Sequence, residues 1–182
     1  MKTNTSLMFK VLYVLAWIFF IGLCIEAGGS IFSSFYTLVI NPINAATFWV
    51  KNDLSDLYRF SSGHFFAETL LISIPSVLKA WMFYLIVKVL GDKKLDITQP
   101  FNQAIKLFIL EMSYLAFAIG LFIAWGVEYT EWLITQGVKM PDTQHLRLGG
   151  ADVWLFMGVI LFIIAQIFRR GIEIQEENQL TV

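Results

Sequence analysis

The sequence predicts an all-α membrane protein, a four-transmembrane-helix bundle with a partly structured extracytoplasmic cap. Three observations carry this. Hydrophobic residues make up 57% of the chain and charged residues only 15%, where a soluble domain has about 25% charged. Four apolar segments are each long enough to cross a hydrocarbon core of about 30 Å. The two longer connections between them hold aromatic and aliphatic side chains that must bury themselves somewhere.

The clearest segment runs from Ala151 to Phe168 and ends at Arg169-Arg170. By the positive-inside bias, that pair marks a cytoplasmic boundary. The spans are expected at about 7–28 (with a possible continuation to Ile40), 65–90, 101–127 and 151–170. Outer connections are expected at about 41–64 and 128–150, and the 182 residues form one membrane domain. The N-terminal segment resembles a signal peptide, with Lys2 and Lys10 before an apolar run. That run continues past a signal core, so it is expected to be a retained first helix.

Lysine and arginine placement sets the expected topology. Lys2, Lys10, Lys88, Lys93, Lys94, Lys106, Arg169 and Arg170 fall on one side. Lys51, Arg59, Lys139 and Arg147 fall on the other, and Lys79 lies inside a span. Both termini are therefore expected in the cytoplasm. The net charge of −1 gives no case for direct nucleic-acid binding. Cys24 is the single cysteine, so no intrachain disulfide forms.

Local signals mark the boundaries. Asn41-Pro42 ends the first extended segment. Asp53 and Asp56 are placed to cap a small outer helix. Gly91 fits the end of the second span and Pro100 the opening of the third. Asp152 suits the N-terminus of the fourth. Trp49, Trp125, Trp132 and Trp154 suit an outer interfacial belt. Gly22 and Gly120 suit close helix contact.

Ionisable residues within the spans are the candidate sites. A charge at the bilayer centre costs about 2.5–3.5 kcal/mol on insertion scales. Lys79 lies roughly 16 Å from the inner end of the second span and Glu111 roughly 15 Å from that of the third, at 1.5 Å per residue. Equal depth and opposite charge predict a Lys79–Glu111 pair. Glu68 shares a helical face with Lys79 across Pro75, and Glu26 is expected near the level of Glu68. These positions read either as a polar pathway or as a structural pair that fixes helix register. Arg169, Arg170, Glu173, Glu176 and Glu177 form the candidate cytoplasmic contact, on a fourth helix expected to continue to about Asn178. His64 and His145 are isolated in sequence, and neither a phosphate-binding loop nor a hydrolase motif is visible. No catalytic residue, metal or other cofactor is expected, and the chain reads as non-enzymatic.

The tail from Phe168 to Val182 resembles the ending of bacterial proteins in domain-of-unknown-function family 2975. Lys79-Ala80, Phe83-Tyr84-Leu85, Pro100-Phe101 and the run Asp53-Leu54-Ser55-Asp56-Leu57-Tyr58 add to the resemblance. Gln166 departs from it, standing where relatives carry an acidic residue. The resemblance implies a small four-helix membrane protein without an established activity, encoded beside a helix-turn-helix regulator. A non-enzymatic membrane partner of such a cytoplasmic transcription regulator is thus one expected function. A small transporter or channel component using Glu68, Lys79 and Glu111 is the alternative.

Overall fold

A computed structural model describes residues 2–91 and 101–180, with side chains from 7 to 91 and from 101 to 177. It contains four long apolar helices compatible with a four-helix membrane bundle. They are α1 (Lys2–Val39), α3 (Ser62–Gly91), α4 (Gln103–Thr135) and α5 (Ala151–Leu180), with a short α2 (Ser55–Phe60) between the first two. Among the described residues there is no strand, only an isolated bridge from Phe48 to Asn52.

The first helix takes the longer course that the sequence allowed, through to Val39, and α4 overruns its expected end. α1 is one unbroken helix of 38 residues, about 57 Å at 1.5 Å per residue. It stops where expected, at the extended Asn41, whose side chain accepts from the Ile43 N–H at 3.1 Å. α4 begins at Gln103, because the Asn102 side chain accepts from the Ile105 N–H at 2.9 Å and supplies the N-cap. The expected opening at Pro100 lies outside the described residues. α4 then runs eight residues past the expected boundary at Val127, to Thr135.

The chain crosses back and forth so that α1, α3, α4 and α5 form a row. α1 packs on α3, α3 on α4, and α4 on α5. Among the described residues α1 approaches neither α4 nor α5, and α3 does not pack along α5. Among the described residues each seam carries one fully buried hydrogen bond between helices. The Ser73 hydroxyl donates to that of Ser30 at 3.2 Å between α3 and α1. Thr130 and Glu68 meet at 2.6 Å between α4 and α3. The Ser113 hydroxyl donates to the Gly158 carbonyl at 2.9 Å between α4 and α5.

The α4–α5 seam is close because its residues are small. A Cβ on Gly120 would lie 2.7 Å from Leu155 Cγ and 3.0 Å from the Leu155 backbone nitrogen. Gly22, expected to act alike, has nothing within 4 Å of such a Cβ and stands on an exposed face. The same physical reasoning separates them: a glycine permits contact only where a neighbour has used the space.

Both long connections fold into a cap over one end of the row. Residues 42–51 form two 3-10 turns, Pro42–Thr47 and Trp49–Lys51, followed by α2. Phe48, Leu54, Leu57 and Phe65 bury themselves with Leu133, Val138, Leu146 and Leu148. Asn52 Nδ2 donates to the Trp49 carbonyl at 3.1 Å and to the His145 carbonyl at 3.3 Å, the second bond tying the two connections together. Phe60, Trp132 and Ile134 remain exposed, so the cap uses only part of the apolar set. Asp53 acts differently from a plain helix cap. The Ser55 hydroxyl and backbone N–H donate to its Oδ1 at 2.6 and 2.9 Å, and these bonds hold its carboxyl below the usual aspartate range. The stabilisation is present above the ordinary aspartate value and is lost as pH falls through the lowered one.

The seam geometry gives a direct test. Gly120→Val should force α4 and α5 apart and cost about 1–3 kcal/mol, the usual penalty of overpacking. Gly22→Ala should be neutral or stabilising by up to about 1 kcal/mol, from helix propensity alone. Thermal unfolding of both variants in detergent would measure the contrast. Equal effects would show that the seam is not tight.

Candidate functional site

Two polar centres lie within the helical row. The first is in the α3–α4 seam near the cap. Glu68 is 0% exposed and its Oε1 lies 2.6 Å from Thr130 Oγ1. Thr130 Oγ1 also lies 2.9 Å from the Gly126 carbonyl. Glu68 Oε2 is buried without a hydrogen-bond partner. One helical turn toward the cap, His64 Nδ1 and the Tyr129 hydroxyl are 2.5 Å apart. Phe60, Tyr129 and Trp132 pack around the His64 ring. His64 is therefore a partnered residue of this seam and not the isolated one its sequence setting suggests.

The second centre is a cleft of about 440 Å³ between α1, α3 and α5. Lys79 of α3 forms its floor. Leu23 and Glu26 of α1 and Trp154 of α5 form the sides. Gln144, Arg147 and Gly149 of the 136–150 connection complete it. The Lys79 ammonium sits 5.6 Å over the Trp154 ring, a favourable cation–π arrangement. Arg147 Nη1 stands 3.6 Å from Glu26 Oε2, with Arg147 55% and Glu26 19% exposed.

Arg147 is held there by its backbone. Its φ is +63°, a left-handed conformation that costs an ordinary residue about 1–2 kcal/mol. Leu146 and Leu148 on either side are both fully buried. Leu148 N–H donates to the Thr143 carbonyl at 2.9 Å and Arg147 N–H to the Gln144 carbonyl at 3.1 Å. Two buried anchors and a closed turn leave the Arg147 side chain directed into the cleft.

The structure does not bring Lys79 and Glu111 together. The Glu68–Thr130 contact fixes the register of the antiparallel α3 and α4. Counting from it, Lys79 is level with Ile119 and Glu111 with Val87, an offset of about 12 Å at 1.5 Å per residue. Glu111 is exposed and has no ion pair among the described residues. Equal depth was inferred by starting both helices at one level, whereas α3 ends at Gly91 some way short of the level where α4 begins. Glu26 is also displaced from its expected level. The Ser30–Ser73 bond puts it beside Lys79, not Glu68.

The fourth helix continues past Asn178, as expected, to Leu180. Arg169 Nε and Arg170 Nη1 each donate to Glu173 at 3.1 Å. Glu176 and Glu177 are exposed. Gly171 lets this helix pass close to Phe101: a Cβ there would meet the Phe101 ring at 2.5 Å. The Lys93–Lys94 loop lies outside the described residues. No group of three or more His, Cys, Asp or Glu side chains comes together as a metal site among the described residues.

Sequence reading missed Arg147, Trp154, Thr130 and Tyr129 as members of these centres. Arg147 was visible only as an outer basic residue and Trp154 only as an interfacial aromatic. The comparisons add no relative: no family model, curated protein or solved structure matches the chain.

The seam makes a thermodynamic prediction. Thr130→Val should leave Glu68 without its one partner and cost about 1–3 kcal/mol, the penalty of an unsatisfied buried polar group. Adding Glu68→Leu should restore part of that loss. By contrast, Lys79 and Glu111 should show a coupling below about 0.5 kcal/mol in a double-mutant cycle, as distant sites do. Denaturant unfolding in detergent reads both, and a strong Lys79–Glu111 coupling would contradict the register.

Proposed function

We propose that this chain is a non-enzymatic, multi-pass protein of the bacterial inner membrane that partners a cytoplasmic regulator. The observation that carries the reading is α5. It is one continuous helix from Ala151, beside the Lys79 cleft, to Leu180, past the Arg169–Arg170 boundary. Along its length it packs on α4, and at the cleft Lys79 of α3 meets its Trp154. A rod attached along one side only is suited to report an event at the cleft as a small shift at the tail. Its distal turns carry Glu173, Glu176 and Glu177 with Arg169 and Arg170, a charged surface of the kind a soluble partner recognises.

Orientation belongs to the same proposal. Lys2 of α1 and Leu180 of α5 lie at the end of the row opposite the cap, and the eight basic residues that the sequence assigns to that side favour the cytoplasm. The lipid bilayer is the first partner. The resemblance to family 2975 supports a helix-turn-helix regulator as the second. It rests on the quoted residues alone.

The transporter reading is weaker on geometry. Glu68 is enclosed in a seam, Lys79 opens into a cleft and Glu111 is exposed on a helix surface. These three residues do not line one path. A reconstituted protein that carried protons or ions, with flux lost in Glu68→Gln, would reverse the preference.

Deletion of Gly171 to Val182 tests the main reading. The truncated chain should insert normally yet lose capture of a cytoplasmic helix-turn-helix regulator. Cysteine labelling after Arg170 should fail from outside intact cells. Labelling from outside, or undiminished capture by the truncated chain, would refute the proposal.

A further inference from the structure

We propose that the cleft floored by Lys79 and roofed by Arg147 binds the phosphate headgroup of a membrane lipid, with an acyl chain lying in the gap between α1 and α5. The argument begins with unused hydrogen-bond donors. A lysine ammonium brings three N–H donors and an arginine guanidinium five. No described atom accepts a hydrogen bond from either the Lys79 or the Arg147 side chain. Glu26 stands 3.6 Å from Arg147, beyond hydrogen-bond length.

Charge points to the ligand class. Two cations and one carboxylate leave the cleft with a net charge of +1, which suits an anionic group. A partly buried lysine in a span with no bonded partner is costly. An oxyanion between Lys79 and Arg147 would accept from both. The bidentate fork of arginine matches phosphate geometry, and lysine adds a point charge.

Place and shape point to a lipid. Lys79 is level with Ile119 of α4, and the next acidic residue on that helix toward the cap is the exposed Glu128. The nine-residue rise from Ile119 to Glu128 spans about 13 Å. Lys79 thus rises from the cap-side leaflet, while Arg147 descends from the cap to meet it. Among the described residues α1 and α5 do not pack together, so the cleft is not closed off between them. On the side away from the cap, α1 has no ionisable acid or base until Lys10 except the Tyr13 phenol and Cys24 thiol, and α5 none until Arg169. That flank is fitted to a hydrocarbon chain. The left-handed backbone of Arg147 adds a cost that a held ligand would offset.

This inference goes beyond the signalling reading and stands without it, because binding is read on the purified chain and regulator capture on the tail. The experiment is a titration of the full chain in detergent with phosphatidylglycerol, followed by native mass spectrometry. Diacylglycerol and inorganic phosphate serve as parallel probes. One phosphatidylglycerol should bind per chain. Lys79→Met and Arg147→Gln should each weaken binding at least tenfold, and Lys79→Arg should stay within about threefold of the parent. Glu26→Gln should bind more tightly, since it removes the one competing carboxylate. The opposite signs of the Arg147 and Glu26 variants keep the test decisive if Lys79→Met fails to fold. Unchanged binding in Arg147→Gln, or equal binding of diacylglycerol, would overturn the proposal. Inorganic phosphate binding as tightly as the lipid would assign the site to a free oxyanion and overturn the lipid assignment.

Discussion

A single buried hydrogen bond at each helix seam determines where everything else in this protein lies. Inside a bilayer, apolar side chains gain little by meeting each other instead of lipid, so they fix register weakly. Close packing and polar contacts do that work. Among the described residues Ser30–Ser73, Glu68–Thr130 and Ser113–Gly158 are the buried contacts of this kind, with His64–Tyr129 beside the second. Sliding any helix by one turn would break its bond and strand polar groups in a medium without water. The depth of Lys79, the exposure of Glu111 and the placing of Glu26 beside Lys79 all follow from these registers.

The same contacts explain which parts were legible in the sequence. The four spans could be read because length and apolarity are properties of one segment. The cap could be read because Phe48, Leu54, Leu57 and Leu133 require burial wherever the chain goes. The expected Lys79–Glu111 pair required a different kind of information, the relative slide of two helices. Loop position is a poor guide to it, because α3 and α4 do not end at one level. Glu68 and Thr130 held the answer, but a threonine in an apolar helix gives no sign of its partner. Arg147 was illegible for another reason. Its importance comes from a left-handed backbone pinned between two buried leucines, a property of the folded turn and not of the residue type.

The four long helices also differ in how they are held, and the difference has consequences for motion. α3 and α4 form the inner pair and contribute most of the buried side chains. α1 is held by α3 and by the cap, where the Trp49 ring lies against Gly29. α5 has α4 for a neighbour along its length and is joined to the cap only through the 136–150 connection. The outer helices therefore have the fewest restraints, and the Lys79 cleft lies between them. A ligand that contacts both sides of the cleft would change the spacing of α1 and α5 while the inner pair stayed fixed.

Helix length sets the final constraint. The 33 residues of α4 rise about 50 Å, against a hydrocarbon thickness of about 30 Å. Tilting absorbs part of such an excess, and the rest must project beyond the lipid. At the cap end the projecting turns pack with the folded connections, which explains why Phe65 and Leu133 are fully buried there. At the other end the projecting turns of α5 find fewer neighbours, and Ile174, Glu176 and Glu177 are exposed. One end of the row is thus sealed by its own chain and the other presents a helix surface. In the proposed function the cap side would meet the surroundings and the tail the partner. The reading does not require the helices to enclose a pathway for solute.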